Sequence, residues 1–403
     1  MIGGFAVKVL ISGGGIAGPA LAHWLHRHGI AATIVERAPR PRPGGHAVDV
    51  RGVARQVIER MGLMPAVLAK RVDERGIALV DENGRRLAEM SAGLFGGEGI
   101  VAEIEISRGD LAGVLHDATG ATTDYRFGDR ITALTQDPAG VDVTFASGGR
   151  ERFDAVVGVD GVHSAVRSLA FGPDREYVRY LGGYGCYFTV ADPGDLGNWF
   201  HVYNAPGGLV AGVRPERGGT AKASLSFTHP RPAYERLSTQ EQQRLLVAKL
   251  AGARWKVPAL LAEMPQAPDF YFDSVNQVRV GQWWRGRVAL LGDAGYCGSP
   301  LAGLGTSLAL VGAYVLAGEL AAAGDPATGF AAYQREMADY VAAGVRLPPG
   351  GMGAFAPQTR PAIALRAVSW RLMSRRPLRT ILAKQFSKAD QITLKDYANQ
   401  PSS

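Results

Sequence analysis

The sequence predicts an α/β fold: a central parallel sheet flanked by helices, a second, antiparallel sheet inserted into it, and a helical C-terminal tail. Three observations carry this expectation. A glycine-rich turn joins a short apolar run to a helical pattern within 7–29, and the same strand-then-acid texture returns at 155–161 and 288–294. Between the last two, residues 177–277 read as short alternating strands with Gly- and Pro-rich turns. The division that follows is 1–176 with 278–345 for the parallel-sheet domain, 177–277 for the antiparallel sheet and 346–403 for the tail.

Val7 to Ser12 forms the first expected strand, and Pro19 to His28 a helix closed by Gly29. Gly13, Gly15 and Gly18 between them make GxGxxG. The first glycine permits the tight turn, the second lets backbone approach a pyrophosphate, and the third lets the helix pack on the sheet. Ile16 and Ala17 stand at the helix start, where unpaired N–H groups and the dipole favour an anion. Ala31 to Glu36 then reads as a second strand ending in an acid, placed to bond the two ribose hydroxyls and to repel a 2′-phosphate. FAD or NAD suits this Rossmann-like turn better than NADP. A chance glycine spacing, in a chain with 53 glycines, is the alternative.

Length and composition fit this reading. With 403 residues, 46% hydrophobic and 20% charged, the chain holds two ordinary globular domains. No secretory leader or apolar run of membrane-spanning length is evident, so the cytoplasm is the expected location. Cys186 and Cys297 form no CxxC, and the histidines lack metal-ligand spacing, so no metal site is expected. The formal charge of +7 equals the seven basic residues Arg366, Arg371, Arg375, Arg376, Arg379, Lys384 and Lys388, a stretch without acids. A solvated helix face is the favoured reading, with Ile363, Leu365, Trp370 and Leu372 packing inward and Pro377 interrupting it. Contact with a membrane surface is the alternative, and no nucleic-acid partner is expected.

The remaining elements follow in order. Residues 38–45 make a Pro- and Arg-rich loop leading into His46, Asp49 and Arg51, which either face a cofactor ring or solvent. Val53–Met61 is helical, and Ile77–Glu89 resembles a hairpin with Asn83-Gly84 at its tip. Val101–Ile106 alternates as an edge strand, and Ser107 with Asp110 caps the next helix. Arg108 in that first turn opposes the helix dipole, which an anionic ligand would explain. Val141–Phe145 is a half-buried strand, and Ala155–Val159 a buried one ending at Asp160-Gly161. Strands at 183–190, 199–203, 209–213 and 223–228 precede a helix from Thr239 to Ala251. Ser224-Leu225-Ser226-Phe227 predicts one buried and one exposed face. Tyr187, Phe188, Phe200, Tyr203, Phe227 and Phe272 are candidates for an apolar pocket or for ordinary core. Arg287–Leu291 is again a buried strand, ending at Gly292-Asp293, and Pro300, Gly303, Leu304 and Gly305 open a helix to about Ala323.

Three motifs in this order resemble the FAD-dependent aromatic hydroxylases, the single-component flavin monooxygenases. Gly13-x-Gly15-x-x-Gly18 with Glu36 resembles their ADP-binding motif, Asp160-Gly161-x-x-Ser164-x-x-Arg167 their DG motif, and Gly292-Asp293 with Pro300-x-x-Gly303-x-Gly305 their GD motif. The layout is most similar to the tetracycline and polyketide hydroxylase branch, where an acid like Asp49 lies near the flavin. The resemblance implies FAD held by Gly13, Gly15, Ile16, Ala17, Gly18, Glu36 and Arg37 at the adenosine and diphosphate end. Arg108 lies near the pyrophosphate and Asp293 on the ribitol. Pro300, Gly303, Leu304 and Gly305 sit at the flavin, and Asp160 supports FAD and a transient nicotinamide. It further implies NADPH or NADH as cosubstrate, O2, a flavin C4a-hydroperoxide, and oxygen transfer to an aromatic or polyketide-like small molecule. Ser307 departs from the asparagine found in many relatives. Arg51 and His46 are the candidates for a catalytic contact, with an ordinary loop role as the alternative.

Two rival readings share this architecture. One is a flavin oxidoreductase without oxygen insertion, of prenyl-reductase or halogenase type, although Trp283-Trp284-Arg285 does not supply the halogenases' WxWxIP. The other is a non-catalytic FAD-binding protein. A monomer or homodimer is expected.

Overall fold

A computed structural model describes residues 7–42, 44–95, 104–234, 236–373 and 391–397. Its first sheet has six strands in the order Trp284–Arg285, Val288–Leu290, Ala155–Gly158, Lys8–Ser12, Ala31–Glu36, Asp124–Phe127. Every neighbouring pair is parallel except the first. The strands that end at the three motifs are therefore adjacent, and their C-terminal ends share one edge, where open α/β sheets bind ligands.

The helix Ala17–Arg27 buries Leu21, Ala22, Trp24 and Leu25 and ends before Gly29, whose φ of +72° suits glycine. The helix Gly305–Ala323 is buried at every position from Ser307 to Leu320. Among the described residues it is the one helix long and apolar enough to cross a membrane, and 72% of its apolar window lies inside the protein. Core burial on all sides accounts for that composition.

The second sheet has seven strands in the order Tyr271–Val278, Val178–Ala191, Thr220–Thr228, Leu209–Pro215, Trp199–Ala205, Gly76–Val80, Arg86–Ser91. The last two correct the expected division, which placed the 76–91 hairpin in the parallel-sheet domain. Its first strand pairs parallel with Trp199–Ala205, so that Ile77, Leu79 and Met90 can join the apolar layer beneath this sheet. A three-stranded antiparallel sheet, Ile131–Asp137, Gly140–Phe145 and Arg150–Phe153, leads into the strand at 155.

One face of the seven-stranded sheet packs Tyr184, Cys186, Phe188, Leu225 and Phe227 against Leu246, Leu250, Val257 and Leu260 of the helices Thr239–Leu250 and Val257–Glu263. The other, inner face is not the solvent face that the Ser224–Phe227 alternation predicts. Val202 and Val210 there contact Met352, Ala356, Ala367 and Trp370 of the helices Gly351–Phe355 and Arg360–Met373. The C-terminal segment thus roofs this sheet, which is why serine at 226 is buried.

The tail is helical only in part. Residues 391–397 form neither helix nor strand, and the Tyr397 ring sits where a Cβ on Gly318 would lie 2.3 Å from it, with its hydroxyl donating to Glu319 Oε1 at 2.7 Å. Trp370 packs inward as expected, but Leu365 and Leu372 are exposed, because the helix turns its other side to the sheet. Arg375, Arg376, Pro377, Arg379, Lys384 and Lys388 lie outside the described residues, as do Val101 to Glu103 of the expected edge strand.

Candidate active site

The three motifs meet at the sheet edge. A Cβ on Gly13 would lie 2.7 Å from the Val159 carbonyl oxygen and 3.1 Å from Asp160 Cα, so the first turn rests directly on the DG loop. A Cβ on Gly292 would lie 3.9 Å from Ala17 Cβ, which brings the GD loop against the start of the first helix. Glu36 closes the other side: its carboxylate accepts from the N–H groups of Gly14 and Ala38, both at 2.8 Å. Arg37 follows on an open groove of about 540 Å³ lined also by Arg40, Arg42 and Arg130.

Two helix starts at this edge carry no side-chain cap. Ile16 precedes the helix at Ala17, and Leu304 the helix at Gly305, and neither residue type can accept a hydrogen bond. Ser107, Ser164, Ser238 and Asp325 cap their helices, whereas the starts after Gly52, Leu63, Lys256 and Gly350 are also without a side-chain cap, so it is their place at this edge that sets 17 and 305 apart. The bare N–H groups and positive dipole ends at 17 and 305 are donors without an internal acceptor. A Cβ on Gly15 would lie 3.5 Å from Arg108 Nη2, so the glycine keeps the backbone beside that guanidinium clear. Gly303 adopts φ +72°, and a Cβ on Gly305 would lie 3.7 Å from Asp293 Oδ1. Pro300 begins the short turn before them and is exposed. The residues present fit an extended anionic dinucleotide such as FAD.

Asp160 has a different setting. Its carboxylate accepts from Ser164 Oγ at 2.5 Å and from the N–H groups of Ala165 and Val166 at 2.8 and 3.2 Å. Burial raises its pKa despite these bonds. Its oxygens are thus engaged within the loop, which shapes the edge under Gly13.

The loop at 46–51 lies between the two sheets. Ala47–Asp49 pairs antiparallel with Glu105–Ser107, and the Arg108 N–H donates to the His46 carbonyl at 3.0 Å. The His46 ring packs on Tyr187 at 4.9 Å between centroids. Its pKa is lowered to about 4 by burial first, then by Arg108, Arg214 and Lys222. These surroundings favour the neutral form of the His46 ring. Arg51 is buried and paired with Asp49, and its carbonyl accepts from Ser307 Oγ at 3.4 Å.

Sequence reasoning missed the charged groups that face this loop from the seven-stranded sheet. Arg214 Nε lies 2.8 Å from Glu74 Oε2 and its Nη2 lies 3.2 Å from Glu105 Oε2, with Phe200 under the guanidinium at 4.6 Å. Lys222, opposite Arg214 in the register, bonds Asp269 Oδ2 and Thr189 Oγ1, both at 2.6 Å. The signal was a charged residue at alternate positions of an apolar strand, which an exposed face would equally produce. Of the aromatic candidates, Tyr187 and Phe200 face this cleft, whereas Phe188, Tyr203, Phe227 and Phe272 belong to the outer core.

Glu74 makes this cluster pH-sensitive. Burial, opposed by Arg214, pushes its pKa up to about 7 from 4.5, and burial raises that of Glu105 as well. The folded protein then binds more protons than the unfolded chain, so the Glu74 contribution is fullest below about pH 4.5 and is lost as pH rises through about 7. Glu74→Gln is expected to flatten the fall of melting temperature across that window, measured beside the unsubstituted protein by scanning fluorimetry. An unchanged slope would remove Glu74 from this role.

A family model described as FAD binding domain matches residues 6–347. An uncharacterized protein of Mycobacterium tuberculosis is 44% identical over 336 residues, covering 83% of this chain and 90% of that protein. A flavin-dependent monooxygenase from an unknown prokaryotic organism is 39% identical over 337 residues, covering 83% and 87%. Among solved structures, tetracycline destructase Tet(51) superposes with a TM-score of 0.81 at 31% identity, covering 98% of this chain and all of that one. With this match behind the three motifs and their shared edge, the chain belongs to the FAD-dependent aromatic hydroxylase family and is a flavin-dependent monooxygenase.

Proposed function

We propose that this monooxygenase uses NADPH or NADH to insert one atom of O2 into an electron-rich aromatic or polyketide-like small molecule. The single observation that supports this most is the meeting of the two uncapped helix starts, at Ala17 and Gly305, on one sheet edge below the roofed inner face. In this reading Gly13, Gly15, Ile16, Ala17 and Gly18 hold the diphosphate with Arg108, while Glu36 and Arg37 flank the adenosine ribose. Asp293 bonds the ribitol, Gly303, Leu304 and Gly305 present N–H groups to the pyrimidine edge of the ring, and Pro300 fixes the turn that leads into them. FAD, when bound, would take up the hydride equivalent from NAD(P)H and activate O2.

The chain's own residues then orient and exclude. The N–H groups at Leu304 and Gly305 would stabilise negative charge on the ring of a bound FAD. Asp49, fixed by Arg51, together with His46 shapes the wall beside that ring. The C-terminal helices over the inner face keep water from the reacting centre. A tetracycline destructase among the structural relatives makes an antibiotic-like polycycle a reasonable substrate class. The two free buried thiols, Cys186 and Cys297, suit the reducing cytoplasm, and a monomer or homodimer is the expected state.

The test is direct. Purified protein is expected to be yellow, and a true substrate should accelerate NAD(P)H oxidation and acquire one labelled atom from ¹⁸O2. Substrate-dependent hydride use without label in product would instead support the reductase reading. Colourless protein that refuses added FAD would end both.

A further inference from the structure

Arg366, half-buried, differs from the other inward-facing cations described above. Arg51 has Asp49, Arg167 has Asp174, Arg214 has Glu74 and Glu105, and Lys222 has Asp269. The Arg366 guanidinium is held by two neutral acceptors: Nη1 donates to Asn204 Oδ1 at 2.8 Å and to the Phe355 carbonyl at 2.6 Å. Among the described residues no carboxylate pairs with it. Burial alone lowers its pKa from 12.5 to about 10. A desolvated charge without a counter-ion is costly to keep, and a ligand that brings the opposite charge removes the cost.

Its position fits such a ligand. Arg366 stands on the helix Arg360–Met373 that roofs the inner face, with the rings of Trp370 and Phe355 at 5.4 and 6.0 Å from its guanidinium carbon. Asn204 is the register partner of Val210, and Arg214 lies on the same face of that strand four residues further on. At roughly 3.3 Å per residue this separates the two arginines' anchor points by about 13 Å. Arg214 marks the end beside the 46–51 loop, so Arg366 marks the distal end.

We propose that Arg366 is a substrate-anchoring residue that receives a carboxylate or acidic enolate at the far end of a two- or three-ring aromatic molecule. The opposite ring of that molecule points toward the Arg214 end, where the reading above places the flavin. This inference rests on that reading for the identity of the inner face as the substrate side. A single-ring acid would be too short to reach both ends.

The test compares hydroxynaphthoate with the matching hydroxynaphthamide, by equilibrium dialysis against the FAD-loaded enzyme without reductant. A charge-assisted pair corresponds to a preference for the acid of about 10- to 100-fold. Arg366→Met should abolish that preference while amide affinity and flavin content stay unchanged, and Arg366→Lys should keep part of it. Arg366→Gln, still able to donate to Asn204 and the Phe355 carbonyl, answers the same question should the methionine variant fail to fold. No preference in the unsubstituted enzyme, no binding of the acid at millimolar concentration, or a preference that survives in both neutral variants would overturn the proposal. Because dialysis needs no turnover, enzyme that binds the acid selectively but oxidises no substrate would contradict the monooxygenase chemistry and leave the anchor standing.

Discussion

Gly18→Ala is expected to give a protein that purifies without flavin and is destabilised by roughly 1–3 kcal/mol or more. A Cβ at this position would lie 2.0 Å from the Gly13 carbonyl oxygen and 3.5 Å from Val159 Cγ2. The obstruction is backbone, so no side-chain rotation relieves it, and either the helix or the turn must move. The turn has nowhere to go, because Gly13 itself rests against the Val159 carbonyl. Moving the helix would displace the bare N–H groups at 17 from the diphosphate. Gly29→Ala is the control: it also closes the first helix region, with φ +72°, but meets nothing within 4 Å, so it should cost about 1 kcal/mol through backbone strain and retain flavin. Visible absorbance, FAD titration and urea unfolding of the two variants separate these outcomes. A Gly18→Ala protein with full flavin content would show that the close packing of turn and helix does not govern cofactor retention.

That turn was legible because its constraints are local. Glycine spacing, the strand before it and the acid at 36 are all fixed within about thirty residues, and the same holds for the 83–84 hairpin tip and the Ser107 cap, where Asp110 N–H donates to Ser107 Oγ at 3.0 Å. What the sequence hid is long-range. Glu74 precedes the 76–91 hairpin and Glu105 begins the strand paired with Ala47–Asp49, and only the packing of both against the far sheet brings them to Arg214. The Ser224–Phe227 alternation correctly separates two faces, but alternation cannot tell solvent from a cleft roofed by a helix more than a hundred residues later. Tyr397 seated on Gly318 is the same lesson in reverse, since a lone glycine inside an Ala- and Leu-rich helix says only that something approaches closely.

Arg167→Met is expected to cost about 3 kcal/mol and to weaken FAD binding, although the side chain lies beneath the edge and not on it. Arg167 has no exposed side-chain surface, and it ties two motifs together. Its Nη1 donates to the Ala294 carbonyl at 2.9 Å in the GD loop, and its Nη2 to the Val162 carbonyl at 2.6 Å in the DG loop and to Asp174 Oδ1 at 2.7 Å. Methionine fills much of the volume but returns none of the donors. Asp174 is 41% exposed and regains water, so the loss falls mainly on the two carbonyls, each worth about 1–3 kcal/mol when left unsatisfied in the interior. Without the fork, the segment carrying Asp293 is no longer fixed against the loop that supports Gly13, and the flavin edge loosens where Asp293 and Gly305 meet. Arg167→Lys should recover little, because a single ammonium cannot serve acceptors on two separate loops in the planar geometry of a guanidinium. Urea unfolding and FAD titration of both variants check this. Stability within about 0.5 kcal/mol of the unsubstituted protein, the range of an ordinary surface change, would show that the two loops are held together by the sheet alone.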